Sequence, residues 1–148
     1  MQATFFGHRD APSQLKDKIF QTVLWLLEEK GVTKFLVGAE GQFDAMVTSV
    51  LKELKKQGKS IDYCVVLAYM PYGRSNFDKN EDTLFPEEIA TALPRFAIAK
   101  RNEWMLKKSD IVVTFVKHTF GGAYQYKQKA IKWGKTVVEL ADDLKNTT

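Results

Sequence analysis

Short apolar runs alternate along this chain with stretches of helical spacing, and a glycine marks almost every switch between them; no other feature restricts the fold as much. The runs are Ala3-Thr4-Phe5-Phe6, Lys34-Phe35-Leu36-Val37, residues 62–69, residues 111–116 and Thr136-Val137-Val138-Glu139-Leu140. Each is rich in β-branched or aromatic residues and bounded by turn residues, which is the pattern of a strand. The run from Asp62 to Tyr69 is nearly continuous in apolar character, as expected of a strand buried on both faces of a parallel sheet.

The intervening stretches read as helices. Leu15, Ile19, Val23 and Leu27 recur at helical spacing behind Pro12-Ser13, which predicts Ser13 as N-cap and Gly31 as the stop. Phe43, Val47, Val50 or Leu51 and Leu54 form a second apolar stripe that ends at Gly58. A third helix is predicted from about Pro94 to Lys108, and a fourth from Gly122 to Trp133, closed by Gly134.

Strict alternation of strand and helix builds a parallel sheet with helices on both faces, right-handed crossovers, and a ligand crevice at the carboxyl ends of the strands where the strand order reverses. The expected fold is therefore α/β, a Rossmann-like three-layer architecture of about five mainly parallel strands. A strand order of 3-2-1-4-5 would make the first and fourth strands neighbours at that crevice. Loops 7–10 and 117–122 would then face each other.

At 148 residues the chain fits one domain, 1–148, and is long enough to bury a substantial core. No repeat, low-complexity tract or linker divides it, and the one long irregular segment runs roughly from Met70 to Pro86. The absence of a long neutral run argues against a membrane span, and the absence of a charged-then-apolar leader makes a cytoplasmic location the expectation. Cys64, the single cysteine, lies in an apolar run and reads as a small core residue. A formal charge of +4 suits an anionic ligand but is too mild to argue for nucleic acid.

Three predicted strand ends carry glycine beside a polar or charged residue: Gly7-His8-Arg9-Asp10, Gly38-Ala39-Glu40-Gly41 and Gly121-Gly122-Ala123-Tyr124. Turn chemistry alone accounts for each loop separately, yet all three fall on one predicted face of the sheet. A helix opening at Gly122 would present free backbone N–H groups and the positive end of its dipole, a setting for phosphate, and the two glycines would let backbone approach it closely.

His8 and His118 are the only histidines and lack the spacing of a metal site, so no metal or cofactor is expected. Hydrogen bonding to loop or ligand suits them better, with His8 retained as an acid–base candidate beside the carboxylates Glu40 and Asp44. Arg9, Arg74 and Arg101 have guanidinium groups suited to bidentate contact with phosphate. Tyr69, Tyr72 and Tyr124 would stack on a base or ribose, whereas Trp25, Trp104 and Trp133 read as packing residues. Lys127, Lys129, Lys132 and Lys135 read most simply as a solvated helix face and its exit.

These motifs in this order resemble the SLOG superfamily: Phe5-Phe6-Gly7-His8-Arg9, Gly38-Ala39-Glu40-Gly41-Gln42-Phe43-Asp44, Arg95-Phe96-Ala97-Ile98, Arg101-Asn102-Glu103-Trp104-Met105, Ser109-Asp110 and Gly121-Gly122-Ala123-Tyr124. That group holds the lonely-guy phosphoribohydrolases and the DprA DNA-processing proteins, and the small YpsA-like branch is the most similar. The resemblance spans essentially the whole chain and implies a Rossmann-like fold with a nucleotide or nucleotide-derived ligand at the strand ends. Against the lonely-guy pattern, Arg101, Met105, Ser109, Asp110 and the glycine pair match. Phe120 replaces a proline, Tyr124-Gln125 replace Gly-Thr, and Gln128 stands in place of a glutamate that serves N-glycosidic cleavage.

The resemblance therefore implies binding or sensing of a nucleotide-type ligand rather than turnover. The expected ligand contacts are Gly7, His8, Arg9, Gly38, Glu40, Gly41, Asp44, Tyr72, Arg74, Arg101, Gly121, Gly122 and Tyr124. An alternative is an N-glycosidic hydrolase or transferase with Glu40 or Asp44 supplying the carboxylate. A second alternative is single-stranded DNA binding, favoured only by the lysine-rich fourth helix. The lonely-guy relatives further imply a homodimer formed through helices near Trp104 and Trp133.

Overall fold

A computed structural model of the chain describes residues 1–69 and 83–141. Among them are strands β1 (Gln2–Gly7), β2 (Lys34–Val37), β3 (Asp62–Val66), β4 (Thr83–Leu84), β5 (Ile111–Phe115) and β6 (Thr136–Glu139). The helices are α1 (Leu15–Glu29), α2 (Gly41–Lys56), α3 (Glu87–Ala90), α4 (Ala97–Lys108) and α5 (Gly122–Lys132), with one 3-10 turn at Pro94–Phe96. All strand pairs are parallel, in the order β4-β3-β2-β1-β5-β6. This is the expected Rossmann-like α/β sheet in the expected order, extended at one edge by the two-residue β4, which is too short to carry a periodic signal.

Side-chain alternation divides the core in two. Ala3, Phe5, Phe35, Val37, Ile111, Val113 and Phe115 face α1 and α2, where they form one large cluster with Leu15, Ile19, Val23, Leu26, Phe43 and Leu51. Phe6, Leu36, Val66 and Val112 point the other way and meet Ile89, Met105, Leu106 and Ala130 of α3, α4 and α5. Thr4 is also buried, its hydroxyl donating to the Leu36 carbonyl at 2.9 Å.

Three local expectations change. No side chain caps α1; Gln14 already has helical backbone angles (φ −62°, ψ −20°), and the entry is a turn in which the Pro12 and Ser13 carbonyls accept the N–H groups of Leu15 and Lys16. The buried stripe of α1 uses Leu26 in full, with Leu27 only partly covered. The third strand stops at Val66, and Tyr69, 46% exposed, turns its hydroxyl to the Pro94 carbonyl at 3.1 Å. No helix among the described residues is long and apolar enough to cross a membrane.

Candidate functional site

The strand order reverses between β1 and β5, and the crevice above their carboxyl ends is where the predicted loops meet. His8 follows β1 directly. Its backbone N–H donates to the Phe115 carbonyl at 3.3 Å, and its Nε2 accepts the backbone N–H groups of Lys117 at 2.9 Å and His118 at 3.4 Å. An Nε2 that accepts in this way leaves the proton of the neutral ring on Nδ1. Burial and the neighbouring His118 ring, 4.9 Å away between centroids, hold the His8 pKa below 6.5. His8 is thus a clip between the loops after β1 and β5, as well as part of the cleft wall.

The cleft has a volume of about 310 Å³. The end of β1 contributes Gly7, His8 and Arg9, the start of α2 Glu40 and Asp44, α4 Arg101, Asn102 and Met105, and α5 Gly122, Ala123 and Tyr126. Residues from four separate elements converge because two glycine positions permit very close backbone contacts. A Cβ on Gly7 would run into the Phe43 ring of α2. At Gly41, with φ +83°, a Cβ would come within 2.8 Å of the Arg9 Cα, and the Gln42 N–H bonds the Arg9 carbonyl at 2.9 Å, so the loops after β1 and β2 are locked together.

Gly38 lies against the charged floor. A Cβ there would stand 2.8 Å from Asp44 Oδ2 and 3.0 Å from the Arg101 guanidinium carbon, which puts carboxylate and guanidinium on either side of one small gap. Asp44 Oδ2 accepts the backbone N–H of Glu40 at 2.9 Å, satisfying one of the free donors at the start of α2. Burial raises the Asp44 pKa to about 6 against the opposing effects of that hydrogen bond and of Arg101. Asp44 therefore changes charge close to neutrality.

Arg101 is only 2% exposed, and its Nε donates to Asn102 Oδ1 at 2.8 Å and its Nη1 to the Val66 carbonyl at 3.4 Å. Burial draws its pKa down and the carboxylates of Asp44 and Glu40 draw it back up, and an arginine remains a cation through such a contest.

The fourth wall is the start of α5. Gly121 has φ +93° and ψ 172°, a combination essentially restricted to glycine, and it directs the chain into the helix without any side-chain cap. A Cβ on Gly121 or Gly122 would meet nothing within 4 Å, so no protein atom crowds this turn, and no side chain caps the first N–H groups of α5. Behind them, Glu139 anchors the wall. Its side chain is 6% exposed and accepts from Thr114 Oγ1 (2.8 Å), Lys127 Nζ (2.8 Å), Val116 N–H (3.0 Å) and Ala141 N–H (2.9 Å). One carboxylate thereby joins the ends of β5 and β6 to α5.

Several sequence assignments shift. Lys127 belongs to that buried pair and Lys129 is paired with Glu103, so the lysines of α5 are not one solvated face; Lys132 alone among the four is both exposed and unpaired among the described residues. Tyr126, not Tyr124, lines the cleft: it stacks on Phe6 with centroids 5.3 Å apart and donates its hydroxyl to the Ala99 carbonyl at 3.3 Å. Its position four residues after Gly122, on the same helix face, is the signal that identifies it.

Gln128 is exposed and outside the cleft wall, so the carboxylates of the site come from the start of α2. Gly38 and Gly41 border an adjoining hollow along α2 that shares Asp44 with the cleft. Trp25 and Trp133 are 41% and 38% exposed, more than packing residues would be. Tyr72 and Arg74 lie outside the described residues. Among the described residues no group of three or more His, Cys, Asp or Glu converges as metal ligands.

Comparison with protein-family models and with curated proteins gave no match. Among solved structures, the chain superposes on DNA processing protein A (DprA) from Streptococcus pneumoniae with a TM-score of 0.68 and 14% identity. The superposition covers 93% of this chain and 49% of that one, so the chain spans about half the length of its structural neighbour. At this identity the likeness is one of fold: the chain has the Rossmann-like α/β architecture found in DprA.

Proposed function

We propose that the protein binds a nucleotide or nucleotide-derived small molecule in the cleft between β1 and β5, and that it is a SLOG-type protein of the YpsA-like kind. The observation that carries the reading is the pairing, in one cleft, of the uncapped start of α5 with the buried guanidinium of Arg101. Backbone donors, helix dipole and a fixed cation together favour the phosphate end of such a ligand. The ordered motifs that resemble the SLOG superfamily supply the nucleotide part of the assignment.

Ligand screening by thermal shift tests it, because a ligand at about a hundredfold its dissociation constant adds roughly 2.7 kcal/mol of stability. Gly122→Val should remove that shift while leaving the unliganded melting temperature nearly unchanged, since the new side chain meets no protein atom within 4 Å of its Cβ. Unaltered affinity in Gly122→Val would place the ligand elsewhere.

A second reading, N-glycosidic hydrolysis or transfer, is favoured by Asp44. A carboxyl group in the cleft with a pKa of about 6, beside the carboxylate of Glu40, has the properties of a general acid. Release of free base from nucleoside monophosphates, abolished by Asp44→Asn and followed by chromatography, would install this reading; its absence in a protein that binds the same compounds would leave binding as the function.

A further inference from the structure

Phe120 precedes the Gly121 turn and is 69% exposed, the most exposed large hydrophobic side chain among the described residues. It is nevertheless well supported. Its ring stacks on His118 with centroids 5.0 Å apart and planes 15° from parallel, His118 in turn lies 4.9 Å from His8, and His8 is held by the backbone N–H of Lys117. The column therefore starts on a cleft residue and ends in an exposed aromatic ring.

Its neighbours in the loop, Lys117, His118, Thr119, Gly121 and Gly122, are polar or glycine and are all exposed. An interface for another protein would call for a contiguous apolar patch, and Phe120 has none around it in this loop. A single backed ring with open space beside the adjoining glycines suits a flat π-system instead. Two residues along the chain, Gly122 lines the cleft, and the chain between them spans at most about 7 Å.

We propose that Phe120, backed by His118 and His8, is the stacking platform for the purine base of a mononucleotide whose phosphate end enters the cleft beside Gly122. The proposal rests on the nucleotide-binding reading above and adds the base subsite and its preference. Purines are favoured over pyrimidines because the larger ring system covers more of the phenyl face, and no hydrogen-bond readout of the base is required.

The test is calorimetric titration of the whole protein with adenosine 5′-monophosphate, uridine 5′-monophosphate and ribose 5-phosphate, on wild type, Phe120→Ala, Phe120→Trp and Gly122→Val. Phe120→Ala should weaken the purine nucleotide by roughly 5- to 150-fold, the range for loss of one base–aromatic stack, and leave ribose 5-phosphate unchanged. Phe120→Trp should retain purine binding, and its added fluorescence should be quenched by adenosine 5′-monophosphate. Removing so exposed a side chain does not threaten the fold, and matched melting temperatures would verify that.

Purine binding that is lost in Gly122→Val but indifferent to Phe120→Ala would overturn the platform and leave the nucleotide cleft standing. Equal weakening of ribose 5-phosphate by Phe120→Ala would also overturn it. Failure of wild type to bind any of the three compounds at millimolar concentration would overturn both readings. Phe120-dependent binding of an oligothymidylate without mononucleotide binding would overturn the mononucleotide assignment in favour of single strands.

Discussion

The two faces of the sheet are built to different ends. The face under α1 and α2 is a thick apolar layer in which Phe5, Phe35, Phe43 and Phe115 are all at most 2% exposed. The face under α3, α4 and α5 has a smaller apolar cluster and places polar groups where the first has rings: Thr4, Arg101, Ser109 and Thr114 are buried there or at its edge, with Glu139 bridging strands to α5. A buried polar group has to be held by fixed partners, so it makes few contacts for stability but keeps its geometry. One face holds most of the apolar burial and the other most of the buried polar contacts, while the charged cleft draws on both, its carboxylates from α2 and its guanidinium from α4.

Phe35→Ala tests this division of labour most severely. Removing a fully buried ring from the thick face should cost about 3–5 kcal/mol, read as a drop in the urea midpoint, whereas Met105→Ala on the thin face should cost less. Equal losses would show that stability is shared between the faces.

Next in size is Glu139→Gln. It leaves Lys127, whose side chain is 20% exposed, without its countercharge and weakens four hydrogen bonds, for a loss of about 2–3 kcal/mol. Lys127→Met in the same background should recover part of it. A loss below about 0.5 kcal/mol would mean that this network does not hold α5 to the sheet.

The smallest effect is a pH dependence. Asp44 titrates near 3.8 when unfolded and at about 6 when folded, so the folded state holds the extra proton between those values. Its favourable contribution is complete below pH 3.8 and is lost as pH rises through about 6. Asp44→Asn removes this penalty, so its stability relative to wild type should improve between pH 4 and pH 7.5, by on the order of 1–2 kcal/mol once screening of a partly exposed carboxylate is allowed for. A difference that stays flat across urea titrations at those pH values would show that Asp44 is not desolvated.

The apolar runs and helical stripes of the sequence determine the α/β class, the five longer strands, the four longer helices and the loops that flank the cleft, because periods of 2 and 3.6 residues and glycine stops are local properties of a chain. The clustering of Gly7, Arg9, Glu40, Asp44, Arg101 and Gly122 follows at one remove, since parallel alternation places all strand ends on the same side. Tertiary structure alone decided the rest. Packing on the sheet selects the face of α5 that turns to the cleft, the one carrying Gly122 and Tyr126. Lys127 turns inward because a glutamate twelve residues on ends a neighbouring strand. Gly38 needs to be small only because an aspartate and an arginine from two different helices meet beside it. Such contacts depend on the angles at which separate elements pack, which local periodicity does not encode.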